Sequence, residues 1–161
     1  SSLYQLSYAC MRRFAFIEVP PPSPNVLRKI LYREFSNALH EIPGSLHNFW
    51  RDLESKMSSV FADPETGLFA AGMAVGAAIP LSIIRYLKER LVVVSEGSFS
   101  SEMLILEGLE MFLFPQFEGR RRESNRLRED LAKALGLPED SELYLRLNRS
   151  LLSWTGGGGE R

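Results

Sequence analysis

Apolar residues recur at steps of three and four along most of this chain, and proline and glycine mark the interruptions. Ser23 followed by Pro24 offers an N-cap and a first helical position. Leu27, Leu31, Ala38 and Leu39 then follow at helical spacing until Pro43-Gly44. Ser45 can cap a second helix. In it Leu46, Phe49, Trp50, Leu53, Met57, Val60 and Phe61 form one stripe, with Arg51, Asp52, Glu54 and Lys56 largely off it. Such a helix packs on protein or lies in a membrane interface, where Trp is favoured, so Trp50 is a candidate interface residue. Asp63 as N-cap and Pro64 as first helical residue announce a third helix, running to Val94. The Ser/Gly cluster Ser95 to Ser101 stops it.

Beyond that cluster, "EMLILEGLEMFLF" (Glu102 to Phe114) is strongly apolar and stops at Pro115. "ESNRLREDLAKALG" reads as an exposed helix with Leu127, Leu131, Ala134 and Leu135 on one side and Gly136 at its C-terminal cap. Residues 143–154 fit two readings. Leu143, Leu145 and Leu147 alternate as in a strand, while Leu143, Leu147, Leu151 and Trp154 fit a helix. The closing "GGGGER" reads as a flexible tail, and there is no internal repeat.

The third helix contains nineteen consecutive uncharged residues, Thr66 to Ile84. At 1.5 Å per residue that is about 28 Å, close to the ~30 Å of a bilayer's hydrocarbon core. Leu68, Phe69, Val75, Ile79, Leu81, Ile83 and Ile84 supply about −2 to −4 kcal/mol of insertion free energy. Three glycines, Pro80 and Ser82 oppose it. On a helical wheel Gly67, Ala70, Ala71, Ala74, Ala77, Ala78 and Ser82 gather on one side. Gly72 and Gly76 form a GxxxG notch among the bulky residues opposite, where helix backbones can approach closely. Pro80 should bend the helix mildly. Arg85, Tyr86, Lys88 and Arg90 follow the run as membrane-interface residues that can snorkel to head groups.

The pattern therefore predicts an all-α chain: a single transmembrane helix with amphipathic N-terminal helices and a small helical C-terminal region. The segments are 1–25 (an arm ending in the Pro-rich spacer "VPPPSPN"), 26–62 (amphipathic helices), 64–94 (the span and its extension), 95–155 (helical and extramembrane) and 156–161 (the tail). The basic cluster after the span puts its C-terminal side in the matrix, cytoplasm or stroma by the positive-inside rule.

Composition narrows the function. Hydrophobic content is 45% and charged content 24%, ordinary for a folded protein. A net charge of −1 argues against general nucleic-acid binding, which needs surplus Lys and Arg. The single cysteine, Cys10, rules out an intrachain disulfide framework. The first seventeen residues hold Arg12, Arg13 and several Ser but no acid, the composition of organelle transit peptides or of a plain apolar arm.

Candidate chemistry is sparse, and no catalytic, metal or cofactor site is expected. His40 and His47, the only histidines, are separated by Pro43-Gly44 and lack partner ligands. No GxSxG elbow or phosphate loop is present. Glu102, Glu107 and Glu110 read as a carboxylate set or as the polar edge of an apolar helix, and the spacing favours the edge. "GRRRESNRLRED" could bind an anionic lipid head group such as cardiolipin through Arg120, Arg121 and Arg122, or be a solvated, salt-bridged face.

"GLFAAGMAVGAAIPLSIIRYLKER" resembles the membrane helices of small mitochondrial ATP synthase subunits of the e and g type. The matching positions are Gly72 and Gly76, then Arg85, Tyr86, Leu87, Lys88 and Arg90. The resemblance implies the mitochondrial inner membrane and a non-catalytic accessory role in assembly or dimerisation of the synthase, with other subunits and the bilayer as partners. Helix packing would use Gly72, Gly76, Ala70, Ala74 and Ala78. Alternatives are an accessory subunit of a respiratory-chain complex or plastid photosystem, and a soluble helical adaptor whose third helix is simply core.

Overall fold

A computed structural model describes residues 20–93, 99–119 and 124–156. These form seven α-helices, and no strand occurs among the described residues. Helix α1 spans Pro24–Ala38, with the Ser23 hydroxyl accepting from the Val26 N–H. After two short 3-10 turns, α2 spans His47–Phe61. A four-residue helix α3 (Gly67–Ala70) precedes α4 (Ala78–Val93). Helix α5 (Ser101–Gly108) continues through a π turn, Leu109–Leu113, into a 3-10 turn, Phe114–Phe117. Helices α6 (Ser124–Leu135) and α7 (Glu142–Thr155) follow, so residues 143–154 are helical.

Helix α2 lies at the centre, packed against α1, α3, α5 and α6. Its apolar stripe explains this position: Trp50, Leu53, Met57, Val60 and Phe61 are all buried. Helix α4 closes one side against α1 and α5, and α7 packs on α6 and on Phe114–Phe117. Each fully buried Leu or Phe contributes about 1.5–3 kcal/mol, so this shared core is the main stabilising term. The π turn serves it. Its i→i+5 bonding brings residues five apart toward one face, and Leu109 and Phe114 are both fully buried.

Several sequence expectations are corrected. No described helix is long and apolar enough to cross a membrane. The uncharged run is not one helix but α3, an irregular connection and the start of α4. In a continuous helix Gly72 and Gly76 would cost about 1 kcal/mol each, and Pro80 about 3 more by clashing with the Gly76 carbonyl. Breaking the helix removes that penalty of roughly 5 kcal/mol. Gly72 at φ +72 ends α3, with its N–H bonded to the Phe69 carbonyl and the Met73 N–H to that of Leu68. This is a Schellman cap, and the buried pair Met73 and Leu68 supplies its apolar contact. Pro80 falls in the first turn of α4, where its missing N–H has no intrahelical role, so it bends nothing. Asp63 caps no long helix; its Oδ1 accepts from the Glu65 N–H in a turn. Ser45 sits inside a 3-10 turn, and Leu46 precedes α2 without a side-chain cap. Gly136, at φ +67, does terminate α6.

Candidate functional site

The residues expected to pack a GxxxG helix are spread over three elements. Ala70 ends α3, Gly72 caps it, Ala74 and Gly76 lie in the connection, and Ala78 begins α4. A Cβ at either Gly72 or Gly76 would meet nothing within 4 Å, so neither is a point of close approach within this chain. Two other glycines fill that role. A Cβ on Gly67 would lie 2.2 Å from the Val60 carbonyl oxygen, and one on Gly108 would lie 2.7 Å from Ile83 Cγ2. Sequence spacing offered no signal for these two, because their partners come from other helices.

The membrane-interface candidates have also found protein partners. Trp50 is a core residue, 1% exposed; its Nε1 donates to the Phe35 carbonyl at 2.9 Å and its ring packs on Phe35. Burial of so large a side chain, with its one donor satisfied, outweighs any interfacial preference. Tyr86 donates to Glu107 Oε2 at 2.6 Å. Burial and the Glu107 carboxylate hold its phenol above the ordinary value. Lys88 pairs with Glu41 at 2.9 Å, while Arg90 lies 3.6 Å from Glu107 and over the Phe99 ring. Arg85 is exposed beside an open groove with Glu34 and Lys88. Arg120, Arg121 and Arg122, proposed for lipid head groups, lie outside the described residues, as do residues 1–19, 94–98 and 157–161.

The three glutamates of the Glu102–Phe114 segment tie it to three other helices. Glu102 meets Lys56 of α2 at 3.1 Å, and Lys56 also bonds both Asp52 oxygens at 2.8 Å. The buried Ser101 hydroxyl donates to Asp52. Glu107 takes Tyr86 and Arg90 of α4. Glu110 accepts from Arg146 Nε at 3.0 Å and Nη2 at 2.5 Å, and from Ser150 Oγ at 2.6 Å, both on α7. The Glu110 carboxylate holds Arg146 more firmly protonated than usual. These carboxylates are all engaged in fastening helices. Among the described residues no group of three or more His, Cys, Asp or Glu is placed to hold a metal.

What stands out instead is the connection from α3 to α4. Ala74 and Val75 are half-buried and Gly76 is exposed. Between Met73, whose N–H bonds Leu68, and Ala77, whose carbonyl accepts from Leu81, no backbone hydrogen bond is made among the described residues. The segment borders an open cleft of about 350 Å³ shared with Ile79, Gln116 and Phe117. Among the described residues no charged side chain lines it. Arg126 and Lys133 of α6 instead reach the Ala70 and Glu65 carbonyls at 2.6 and 3.3 Å, fastening α3 beneath it. Among the described residues the surface is thus uncharged, tied to α6 through Arg126 and rich in free peptide groups. Comparison with known proteins finds no protein-family model, no curated protein and no solved structure that matches this chain.

Proposed function

We propose that this chain is a non-catalytic accessory subunit that helps hold a multisubunit assembly together, docking through the uncharged surface of Met73–Ile79. The supporting observation is the segment itself: apolar side chains interleaved with unpaired peptide groups, held on a firm helical base. That mixture favours a protein neighbour over lipid tails. A protein segment can pair the free N–H and C=O groups, whereas hydrocarbon would leave each unsatisfied at several kcal/mol. The proposed attachment to a membrane complex is therefore through its protein subunits. The likeness of Gly67–Arg90 to the e and g subunits makes the membrane region of mitochondrial ATP synthase the first assembly to test, and a respiratory-chain complex the second.

The test is native purification in mild detergent, followed by mass spectrometry of what travels with the chain. A defined set of synthase or respiratory subunits is expected, and Gly76→Trp should release the chain from it. Gly76 is not at positive φ and a Cβ there meets nothing within 4 Å, so a side chain can be added beside the cleft without a clash at that atom. A chain that travels alone, or an assembly indifferent to Gly76→Trp at unchanged melting temperature, would overturn the proposal.

A further inference from the structure

Docking leaves one sequence feature unexplained, the proline-rich stretch before α1. Pro20, Pro21 and Ser23 are exposed, and Ser23 sits at φ −64, ψ 158, a polyproline conformation. Ser23-Pro24 is the only Ser-Pro or Thr-Pro pair in the chain. The Ser23 hydroxyl is barely engaged, accepting from the Val26 N–H at 3.5 Å. Asn25 and Val26 are also exposed, and the buried face of α1 begins only at Leu27. The first turn can therefore open to an extended form at little cost in packing. An exposed serine, followed by proline in a chain already extended, is the substrate shape that a proline-directed protein kinase requires.

The adjoining face of α1 opens into a groove of about 540 Å³ lined by Asn25, Arg28, Lys29, Tyr32, Glu54 and Ser58. Five of these six side chains can donate hydrogen bonds to an anion; Glu54 alone opposes one. Arg28 is braced by its bond to the Ala62 carbonyl at 3.1 Å, which fixes a cation on this wall. Lys29 is exposed on the same wall. The first turn of α1 holds no acidic residue, so the added charge would meet no repulsion there.

We propose that Ser23 is a phosphorylation site, and that its phosphate is held at the mouth of this groove by Lys29 and Asn25, tightening the start of α1. In the reaction the Ser23 Oγ attacks the γ-phosphorus of ATP. An O–P bond forms, the bond to the leaving ADP oxygen breaks, and the hydroxyl proton passes to the kinase's carboxylate base. The modified residue carries a charge near −2 at neutral pH, in place of a weak cap.

The full chain should be treated with ATP and a proline-directed kinase, then mapped by mass spectrometry and melted. One phosphate on Ser23 is expected, and none in Ser23→Ala. The melting temperature should rise by about 1–4 °C. Lys29→Gln should accept phosphate equally well but lose most of that rise. No phosphate on Ser23 would overturn the site. A phosphorylated chain with an unchanged or lowered melting temperature, or a full rise in Lys29→Gln, would overturn the seating of the phosphate.

Discussion

Two apolar stretches of this chain contain glycine, and they meet opposite fates. Thr66–Ile84 carries no charge, yet its middle is an irregular, half-exposed connection. Glu102–Phe117 carries three glutamates, yet Leu104, Ile105, Leu106, Leu109, Leu113 and Phe114 are at most 1% exposed. Side-chain bulk explains part of the contrast. Leu and Phe bury far more area per residue than the Ala and Gly of the first stretch. The carboxylates explain the rest. Each lies at the edge of the buried face and fastens a different helix: Glu102 to α2, Glu107 to α4, Glu110 to α7. Thr66–Ile84 has no carboxylate to make such ties and is held through its backbone instead, as at the Ala70 carbonyl, so lack of charge is a poor guide to burial.

The glycines break or sharpen this comparison most strongly. Gly67→Ala should cost about 2–5 kcal/mol in urea unfolding, because it combines a left-handed backbone with a Cβ driven into the Val60 carbonyl. Gly108→Ala should cost about 1–3 kcal/mol, since the Ile83 methyl can partly yield. Gly76→Ala should stay within about 0.5 kcal/mol of the parent. Equal costs at positions 76 and 108 would erase the distinction between the two stretches.

A smaller effect tests the ties. Glu110→Gln removes a bidentate, charge-assisted pair and should lower stability by about 1–2 kcal/mol, discounted for the partial exposure of both partners. Arg146→Gln in the Glu110→Gln background should add little. Fully additive losses would show that the two side chains are not a pair.

The smallest expected effect is in pH. Burial pushes Asp52 upward, but hydrogen bonds from Lys56 and Ser101 outweigh it and hold the carboxyl below its ordinary 3.8. Glu102 behaves likewise: burial raises it, while backbone, Lys56 and Ser100 hydrogen bonds bring it below 4.5. A depressed folded value means stability that is complete above the unfolded pKa and lost as pH falls through the folded one. Unfolding free energy should therefore be level above about pH 5 and decline below about pH 4. Lys56→Met should flatten that decline, and an unchanged slope would separate the acid sensitivity from this cluster.

Much of the fold was legible because local patterns state it directly. The α1 cap at Ser23-Pro24, the α2 stripe from Trp50 to Phe61 and the α6 stop at Gly136 all follow from residues within a few positions of one another. The candidate site was legible only as a location. The run around Gly72 and Gly76 is set apart in the sequence by its lack of charge, but its spacing predicts one continuous helix where the structure has an irregular connection. The length of the run suggested a span, while the combined cost of two glycines and a proline within nine residues favoured a break. Tyr86, Lys88 and Arg90 looked like head-group anchors because Glu107 and Glu41, which neutralise them, lie far along the chain.

The sequence alone determined that most of this chain is helical, where α1 begins and α6 ends, and which face of α1, α2 and α6 is apolar. Those features depend on i to i+4 spacing and on single cap residues. Only the tertiary structure decided which glycines are needed for close packing, which cations are spent on internal carboxylates, and that the middle of the uncharged stretch is a half-exposed connection. These outcomes depend on pairs such as Gly67 with Val60 and Gly108 with Ile83, which the fold brings together and which helical periodicity does not encode.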